Sequence, residues 1–281
     1  MFRALALVVA VVGLAVACSR GASRAPAVAA RVVSLGPATT EALFAIGAGA
    51  RIVGRSRYCD YPPEATKLPA VGGIEPDLEA ILQLHPDLVV GPSGVWSTRF
   101  AKTLEERGIA TWFPAEITSL DGVDAMLLAL GDRTGTRPGA EQVVASLHQR
   151  EASISAAVAG KPRPRVLFVV GLSPVVVGGP ASFADDLIRR AGGTNAMPDG
   201  GGWPAVSFER LVELDPDVIL DSGEESGTTQ ITPQSAGWSG VRAVRESHVV
   251  PLHDERVLRP GPRVAEGLAV VAHALHPEVL P

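Results

Sequence analysis

The chain has 281 residues, of which 46% are hydrophobic and 20% are charged, and its formal net charge at pH 7 is −5. This length allows two domains of ordinary size with packed cores. The acidic balance lacks the positive charge that neutralises phosphate groups, so we expect no nucleic-acid partner.

The N-terminal segment predicts an export signal. Residues 4–17 form an apolar run after Met-Phe-Arg, too short for a spanning helix, which needs about 20 apolar residues. The sequence Leu-Ala-Val-Ala-Cys that ends at Cys18 resembles a bacterial lipobox, in which the cysteine carries lipid and becomes the mature N-terminus. We therefore predict a signal peptide over residues 1–18, lipidation of Cys18 and a flexible tether over residues 19–30. The protein would then lie in the cell envelope, in the periplasm or on the outer face of the cytoplasmic membrane. The alternative is an ordinary secretory signal in which Cys18 has no role.

From residue 31 onward, short β-rich runs alternate with amphipathic stretches, which is typical of a largely parallel sheet covered by helices. Residues 138–159 contain almost no helix breaker and carry apolar side chains at roughly helical spacing, so they predict a helix of about 33 Å. The other predicted elements, in chain order, are strand 31–35, helix 37–46, strand 51–54, helix 77–84, strand 87–91, helix 97–107, strand 109–113, a helix near 119–131, strand 165–170, helix 183–191, helix 207–214, strand 218–220, strand 249–252 and a helix near 263–275.

One helix–turn–strand unit occurs twice, because residues 77–90 recur as residues 207–220, with Glu79 matching Glu209 at an offset of 130 positions. The duplication predicts an α/β fold of two lobes, each with a mainly parallel sheet flanked by helices, joined by a single long helix. Open α/β sheets bind ligands at strand ends, so the cleft between the lobes is the expected site. The predicted boundaries are an N-terminal lobe over residues 31–137, a linking helix over 138–160 and a C-terminal lobe over 161–281.

Three segments carry a family resemblance: Arg-Val-Val-Ser-Leu-Gly-Pro-Ala-Thr-Thr-Glu at residues 31–41, Ser-Arg-Tyr-Cys-Asp-Tyr-Pro-Pro at residues 56–63, and the doubled unit. Together they resemble the helical-backbone substrate-binding proteins of ABC importers for cobalamin, iron–siderophores and haem, which have the class III periplasmic binding protein fold. The run from Tyr58 to Pro63 and the pair Trp203-Pro204 are most similar to the cobalamin-binding branch.

The resemblance implies a receptor that captures cobalamin or a related corrinoid and delivers it to permease and ATPase subunits. It implies no resident cofactor, no catalysis and a monomer held at the membrane by its lipid anchor. A siderophore or haem receptor of the same family is the alternative, and an exported α/β enzyme is a more distant one.

The resemblance also implies ligand-binding residues. Tyr58 and Trp203 would face the corrinoid, since aromatic faces suit a large flat macrocycle. Glu255 and Arg259 are candidates for contacts with its amide side chains, although arginine donors suit carboxylates and propionates equally well. Aromatic residues expected near Gly73 and Pro92 are missing, and Trp96 could replace one of them or simply pack at the start of a helix.

The repeated glutamates have a structural reason of their own. Asp77 and Ser207 are good N-caps, so Glu79 and Glu209 fall in first helical turns, where the helix dipole stabilises a carboxylate. The resemblance implies a further role, in which each glutamate pairs with arginines of the membrane permease.

Sequence motifs give no support for an enzyme. The chain has no Gly-x-Ser-x-Gly, no phosphate-binding Gly-x-x-x-x-Gly-Lys and no His-Glu-x-x-His. Its six histidines lack metal-ligand spacing, so we expect no metal site in the protein itself. Cys59 is the only cysteine of the body and is interpreted as a partly buried structural residue. A cell-surface interaction module remains the third class.

Overall fold

The computed structural model of the chain describes residues 28–94, 97–223 and 231–279. The predicted signal peptide, Cys18 and Trp96 lie outside these ranges. In the described part of the chain, no helix combines the length and the apolar character needed to cross a membrane.

The N-terminal lobe is built on a parallel sheet. Its four strands lie in the order β2-β1-β3-β4, and every neighbouring pair is parallel. Short 3₁₀ helices at Gly49–Arg51 and Pro63–Lys67 flank β2 in the chain. The elements are β1 (Val32–Ser34), α1 (Pro37–Ala45), β2 (Ile52–Arg55), α2 (Leu78–Gln83), β3 (Leu88–Val90), α3 (Ser97–Glu105), β4 (Ala110–Trp112) and α4 (Leu120–Thr134).

A single long helix, α5 (Arg137–Val158), follows this lobe. It turns a stripe formed by Ala140, Leu147 and Ile154 toward the core, at the seven-residue spacing of one helix face. Near its start, Gly139 lies so close to α1 that a Cβ there would stand 2.3 Å from the carbonyl oxygen of Ile46. Only glycine therefore allows α5 to pack against the end of α1.

The C-terminal lobe has a second, mixed sheet. Its main order is β6-β5-β8-β9, with β7 also paired to β5, and only the β5–β6 pair is antiparallel. A 3₁₀ turn at Trp238–Gly240 precedes α8. The elements are β5 (Arg165–Leu172), β6 (Val175–Val177), α6 (Phe183–Arg190), β7 (Thr194–Asn195), α7 (Phe208–Leu214), β8 (Val218–Asp221), α8 (Arg242–Arg245), β9 (Val249–Pro251), α9 (Glu255–Leu258) and α10 (Val264–Leu275).

The predicted fold class is confirmed: two α/β lobes with mainly parallel sheets are joined by one long helix. The run after β9, expected as a loop, begins instead with the short helix α9. Asp254 explains this difference, because its side chain accepts a hydrogen bond from the backbone N–H of Arg256 and so caps the helix.

One hydrophobic core runs through both lobes. Leu127 of α4, Leu147 of α5, Leu187 of α6 and Leu268 of α10 belong to the same cluster of buried side chains. The other faces of the two sheets have separate clusters, which include Ile81 and Leu211. The lobes therefore share their largest core across the linking helix.

The two copies of the duplicated unit form equivalent hydrogen bonds, which accounts for the residues that they share. The side chain of Asp87 accepts hydrogen bonds from the backbone N–H of Ala30 (2.9 Å) and of Arg31 (3.1 Å) at the start of β1. Asp217 accepts the equivalent bond from the N–H of Arg165 at 2.7 Å. The two arginines then donate to carbonyl oxygens at the ends of α2 and α7, those of Leu84 and Leu214, at 2.7 Å each.

Candidate functional site

A cavity of about 650 Å³ lies between the two lobes. The N-terminal lobe contributes the chain that follows β1, β3 and β4, so the cavity lies at the carboxyl ends of parallel strands. The C-terminal lobe contributes Trp203 and the segment around α9. The lining ranges of more than one residue are 36–39, 91–93, 114–117, 183–184 and 257–260.

The cavity wall is mainly apolar. Ile117, Met126, Phe168 and Phe183 line it together with several prolines and alanines. Its charged lining residues are Glu116, Glu255 and Arg259, and none of the described lining residues is histidine, tyrosine or cysteine. Such a wall suits a large ligand held by apolar contact and a few polar groups.

Trp203 lies on a loop whose backbone conformation favours glycine. Gly200, Gly201 and Gly202 precede it with φ angles of 92°, 53° and 47°, in the left-handed region. The indole is 38% exposed, and its Nε1–H donates a hydrogen bond of 3.0 Å to Oε1 of Glu116. Trp203 belongs to the C-terminal lobe and Glu116 to the loop after β4, so this bond crosses the cleft.

Sequence reasoning missed Glu116. No motif surrounds it, and its partner is 87 positions away in the chain. Its position just after a strand of the parallel sheet is the one sequence signal that could have pointed to it.

Arg259 lines the cavity but is already bound to acidic side chains. Its Nη1 lies 2.6 Å from Oε1 of Glu41 and 3.1 Å from Oδ1 of Asp60, and its Nη2 lies 2.9 Å from Oε1 of Glu255. Burial lowers the pKa of this guanidinium, but the hydrogen bond to Glu41 and the surrounding carboxylates outweigh it, so the pKa is raised overall.

Arg263 is paired with an acidic side chain of the other lobe. It donates to both carboxylate oxygens of Glu41, from Nε at 2.8 Å and from Nη2 at 2.7 Å. The hydrogen bonds with Glu41 raise the pKa of the guanidinium, which also lies 3.9 Å above the ring centroid of Tyr61. Glu41 is only 3% exposed and receives both arginines from the opposite lobe.

Tyr58 lies in the loop after β2 and is half exposed. The guanidinium of Arg57 is 5.9 Å from its ring centroid. Tyr58 is not among the described residues that line the cavity, so its contact with a ligand stays a prediction.

The repeated glutamates are exposed on the two lobes. Glu79 follows the N-cap Asp77, whose side chain accepts from the backbone N–H of Glu79 at 3.0 Å. Glu209 follows the N-cap Ser207, whose hydroxyl accepts from the backbone N–H of Arg210 at 3.3 Å. Hydrogen bonds from its own backbone N–H and from Ser207 lower the pKa of the Glu209 carboxyl.

Cys59 is completely buried, and the hydroxyl of Thr40 donates to its sulfur at 3.1 Å. Burial raises the pKa of this thiol, which is typical of a structural cysteine. Among the residues that the structure describes, no group of three or more His, Cys, Asp or Glu side chains could hold a metal ion.

Comparisons with known proteins are consistent with this architecture. A family model described as periplasmic binding protein matches residues 32–255. The chain is 31% identical over 249 residues to a vitamin B12-binding protein of Salmonella typhimurium, which covers 88% of this chain and 90% of that protein. It is 27% identical over 254 residues to an ABC transporter substrate-binding lipoprotein of Bacillus subtilis, which covers 88% of this chain and 80% of the relative.

A solved structure shows the same fold with a different named ligand. A periplasmic haem-binding protein from Pseudomonas aeruginosa superimposes with a TM-score of 0.77 at 27% identity, over 90% of this chain and 95% of that one. The similarities therefore include relatives named for two different chelates.

Proposed function

Because the chain belongs to the periplasmic binding protein family, we propose that it captures cobalamin or a related corrinoid between its two lobes. The chain is a substrate-binding protein of an ABC transporter and performs no chemistry. It works outside the cytoplasm and delivers a small ligand to permease and ATPase subunits.

The observation that carries the corrinoid proposal is the composition of the cavity wall. A corrinoid is broad and largely apolar and presents amide groups at its edge, which suits apolar walls with three charged side chains, Glu116, Glu255 and Arg259. Haem iron is held by histidine, cysteine, methionine or tyrosine. The described lining offers only Met126, whose side chain is buried, and Tyr58, outside that lining, is the one further candidate among the proposed contacts. The similarity to a vitamin B12-binding relative supports the same ligand.

We propose the ligand contacts that were predicted from the sequence. Trp203 would stack on the macrocycle from the C-terminal lobe and Tyr58 from the N-terminal lobe, with Trp96 as a further aromatic contact. Glu255 and Arg259 would bond to the amide edge. Both Trp203 and Tyr58 expose large parts of their rings, which leaves these faces available to a ligand.

We propose that Cys18 carries lipid and anchors the protein to the membrane by a tether over residues 19–30. The lipobox-like residues before Cys18 and the description of the Bacillus subtilis relative as a lipoprotein support this anchor. The proposed units are then an N-terminal lobe over residues 31–137, a linking helix over 138–160 and a C-terminal lobe over 161–281. When the protein docks on the transporter, Glu79 and Glu209 would each pair with arginines of one permease subunit.

The experiment is ligand retention. The purified protein is incubated separately with cyanocobalamin, haemin and a ferric siderophore and then desalted, and the absorbance of the protein fraction is recorded. We expect only cyanocobalamin to be retained. Retention of haemin or the siderophore instead would replace the corrinoid by that ligand, and retention of none, with no heat of binding in calorimetry, would contradict the proposal.

A double variant locates the site. Tyr58→Ala together with Trp203→Ala should weaken cyanocobalamin binding by at least about tenfold, because each aromatic face contributes about 1 kcal/mol or more. Both side chains are exposed, so the unfolding midpoint should barely change, which serves as the control. Near-normal affinity in a folded double variant would move the site elsewhere.

A further inference from the structure

The cleft carries more negative than positive charge. Glu116, Glu255 and Arg259 line the cavity, and Glu41, Asp60 and Arg263 lie directly behind Arg259. This group contains four carboxylates and two guanidinium groups. A ligand in the cavity therefore meets an acidic surface despite the arginine in its wall.

Arg259 offers little charge to an anionic ligand. Its two terminal nitrogens are within 3.1 Å of three carboxylates, those of Glu41, Asp60 and Glu255. The negative charge of these three carboxylates offsets the positive charge that Arg259 would offer to a ligand carboxylate.

Glu116 is the second source of negative charge. In the ranges that the structure describes, no ion pair joins it to a cation, and its recorded partner is the neutral indole N–H of Trp203. An indole donates a hydrogen bond but brings no positive charge. The Glu116 side chain lines an apolar cavity and is exposed to solvent, so a ligand that fills the cavity would displace the water that screens this carboxylate.

We propose that Glu116, together with Glu255, makes the cleft select ligands whose edge carries neutral amide donors over ligands whose edge carries carboxylates or other anions. Amide N–H groups donate to carboxylates in strong hydrogen bonds, whereas a ligand carboxylate in the same place is repelled. This inference deepens the proposed corrinoid function and rests on it, because it names the chemical class of chelate that the same cavity accepts.

Arg57 is the nearby cation that could oppose this selection. Its guanidinium packs over Gly73, where a Cβ would stand 2.4 Å from its Nε, and it lies beside Tyr58. Arg57 is not among the described residues that line the cavity.

The experiment compares cyanocobalamin with its monocarboxylic acid, in which one peripheral amide is hydrolysed, by equilibrium dialysis with the full chain. At low ionic strength the wild type should bind the amide form at least about tenfold more tightly, as expected for one unfavourable like-charge contact. Glu116→Gln should reduce this ratio to about twofold or threefold, since glutamine can still accept the bond from Trp203 but carries no charge. Glu106→Gln, at an exposed glutamate outside the lining, should keep the wild-type ratio.

Ionic strength gives a second readout. The wild-type ratio should shrink when salt is raised to about 0.5 M, because screening weakens repulsion between charges. Equal affinity for the two corrinoids in the wild type, or a ratio that Glu116→Gln leaves unchanged, overturns the proposal.

A second ligand pair separates this proposal from the corrinoid function. If cyanocobalamin does not bind, the corrinoid function fails, and selection by charge is then judged on a cationic ferric trihydroxamate against a trianionic ferric tricatecholate. Preference for the trihydroxamate, reduced by Glu116→Gln, supports the charge rule alone. Preference for the tricatecholate overturns it, and binding of neither pair overturns both proposals.

Discussion

Glu41 is a carboxylate almost wholly removed from water and held between the lobes. Arg263 donates a hydrogen bond to each of its two oxygens, from Nε at 2.8 Å and from Nη2 at 2.7 Å. Arg259 donates a third from Nη1 at 2.6 Å. Two-point contact with a guanidinium is the geometry in which an ion pair is strongest. Because both arginines come from the other lobe, this one side chain links the lobes beside the cavity.

Glu41→Gln should lower the free energy of unfolding by about 3 kcal/mol. The substitution keeps the shape of the side chain but leaves two partly buried guanidinium groups without their shared anion, which is costly. Urea unfolding followed by circular dichroism measures the change. The control Glu106→Gln, at an exposed position, should stay within about 0.5 kcal/mol of the wild type. An unchanged midpoint in Glu41→Gln would mean that the cluster contributes nothing to stability.

Residues whose partners lie far away in the chain were the hardest to predict. Glu41 was part of the segment that carried the family resemblance, but its partners are 218 and 222 positions away, so nothing local showed its pairing. Glu116 and Trp203 are separated in the same manner. Trp203 was predicted from the family resemblance of the Trp203-Pro204 pair, whereas no motif pointed to Glu116.

The two repeated helix–turn–strand units have one structural plan. In each unit the helix ends in a residue with left-handed backbone, His85 with φ 45° or Asp215 with φ 39°. An aspartate then accepts the backbone N–H of the first strand of its lobe, Asp87 in one lobe and Asp217 in the other. The constant offset of 130 positions between matching residues therefore reflects the same hydrogen bonds repeated around the central strand of each lobe.

Asp217 gives the second unit a pH dependence that can be measured. The hydrogen bond from Arg242, at 2.7 Å, and then that from the N–H of Arg165 lower the pKa of the Asp217 carboxyl. A carboxyl with a lowered pKa in the folded state stabilises the protein fully above its unfolded pKa of about 4. As the pH falls below about 4, the unfolded chain binds the proton first, and the contribution is lost as the pH passes the folded-state pKa.

Asp217→Asn should therefore destabilise the protein at pH 7 by about 1 kcal/mol, a modest value because solvent partly screens the pair. The difference between wild type and variant should shrink steadily below about pH 4. Urea unfolding at a series of pH values measures it. The double variant Asp217→Asn with Arg242→Gln tests the cause, since its loss should be clearly less than the sum of the two single losses. A difference that is constant with pH would contradict the assignment.

The long helices and most of the short strands were predicted within a few residues, whereas β6, β7, α8 and α9 were missed. The helix α5 was recognised because, after Pro138 and Gly139 in its first turn, its apolar residues repeat at helical spacing without a breaker. The strand β7 has two residues and exists only by pairing with Arg165 and Val166 of β5. The helices α8 and α9 have four residues each, which is too short for any periodic signal.

Contacts between α4 and α6 join the two lobes, in addition to the contacts of Glu41. The backbone N–H of Leu120 in α4 donates to Asp186 of α6 at 2.9 Å, and Arg190 of α6 contacts Asp121 of α4 at 2.8 Å. The same two helices supply Met126 and Phe183 to the cavity wall. Because one core is shared through α5, we expect the lobes to form a stiff pair with only a small closure around a ligand.

The proposed docking of Glu79 and Glu209 on two permease subunits requires that the lobes hold the two side chains at a fixed separation. If both glutamates dock as proposed, Glu79→Lys together with Glu209→Lys should reduce uptake of the ligand by cells with the cognate permease about tenfold or more, because attractive contacts would become repulsive at both points. Each single change should reduce uptake less than the pair does.

Ligand affinity must stay the same in the double variant, since neither glutamate is among the described residues that line the cavity. The matched control is Glu106→Lys with Glu213→Lys, which changes the net charge equally at one exposed glutamate per lobe. Loss of uptake in this control would indicate an effect of overall charge, not of docking. Unchanged uptake in the Glu79 and Glu209 double variant would leave the helix dipole as the remaining reason for the repeated glutamates, since each lies in a first helical turn where the dipole favours a carboxylate.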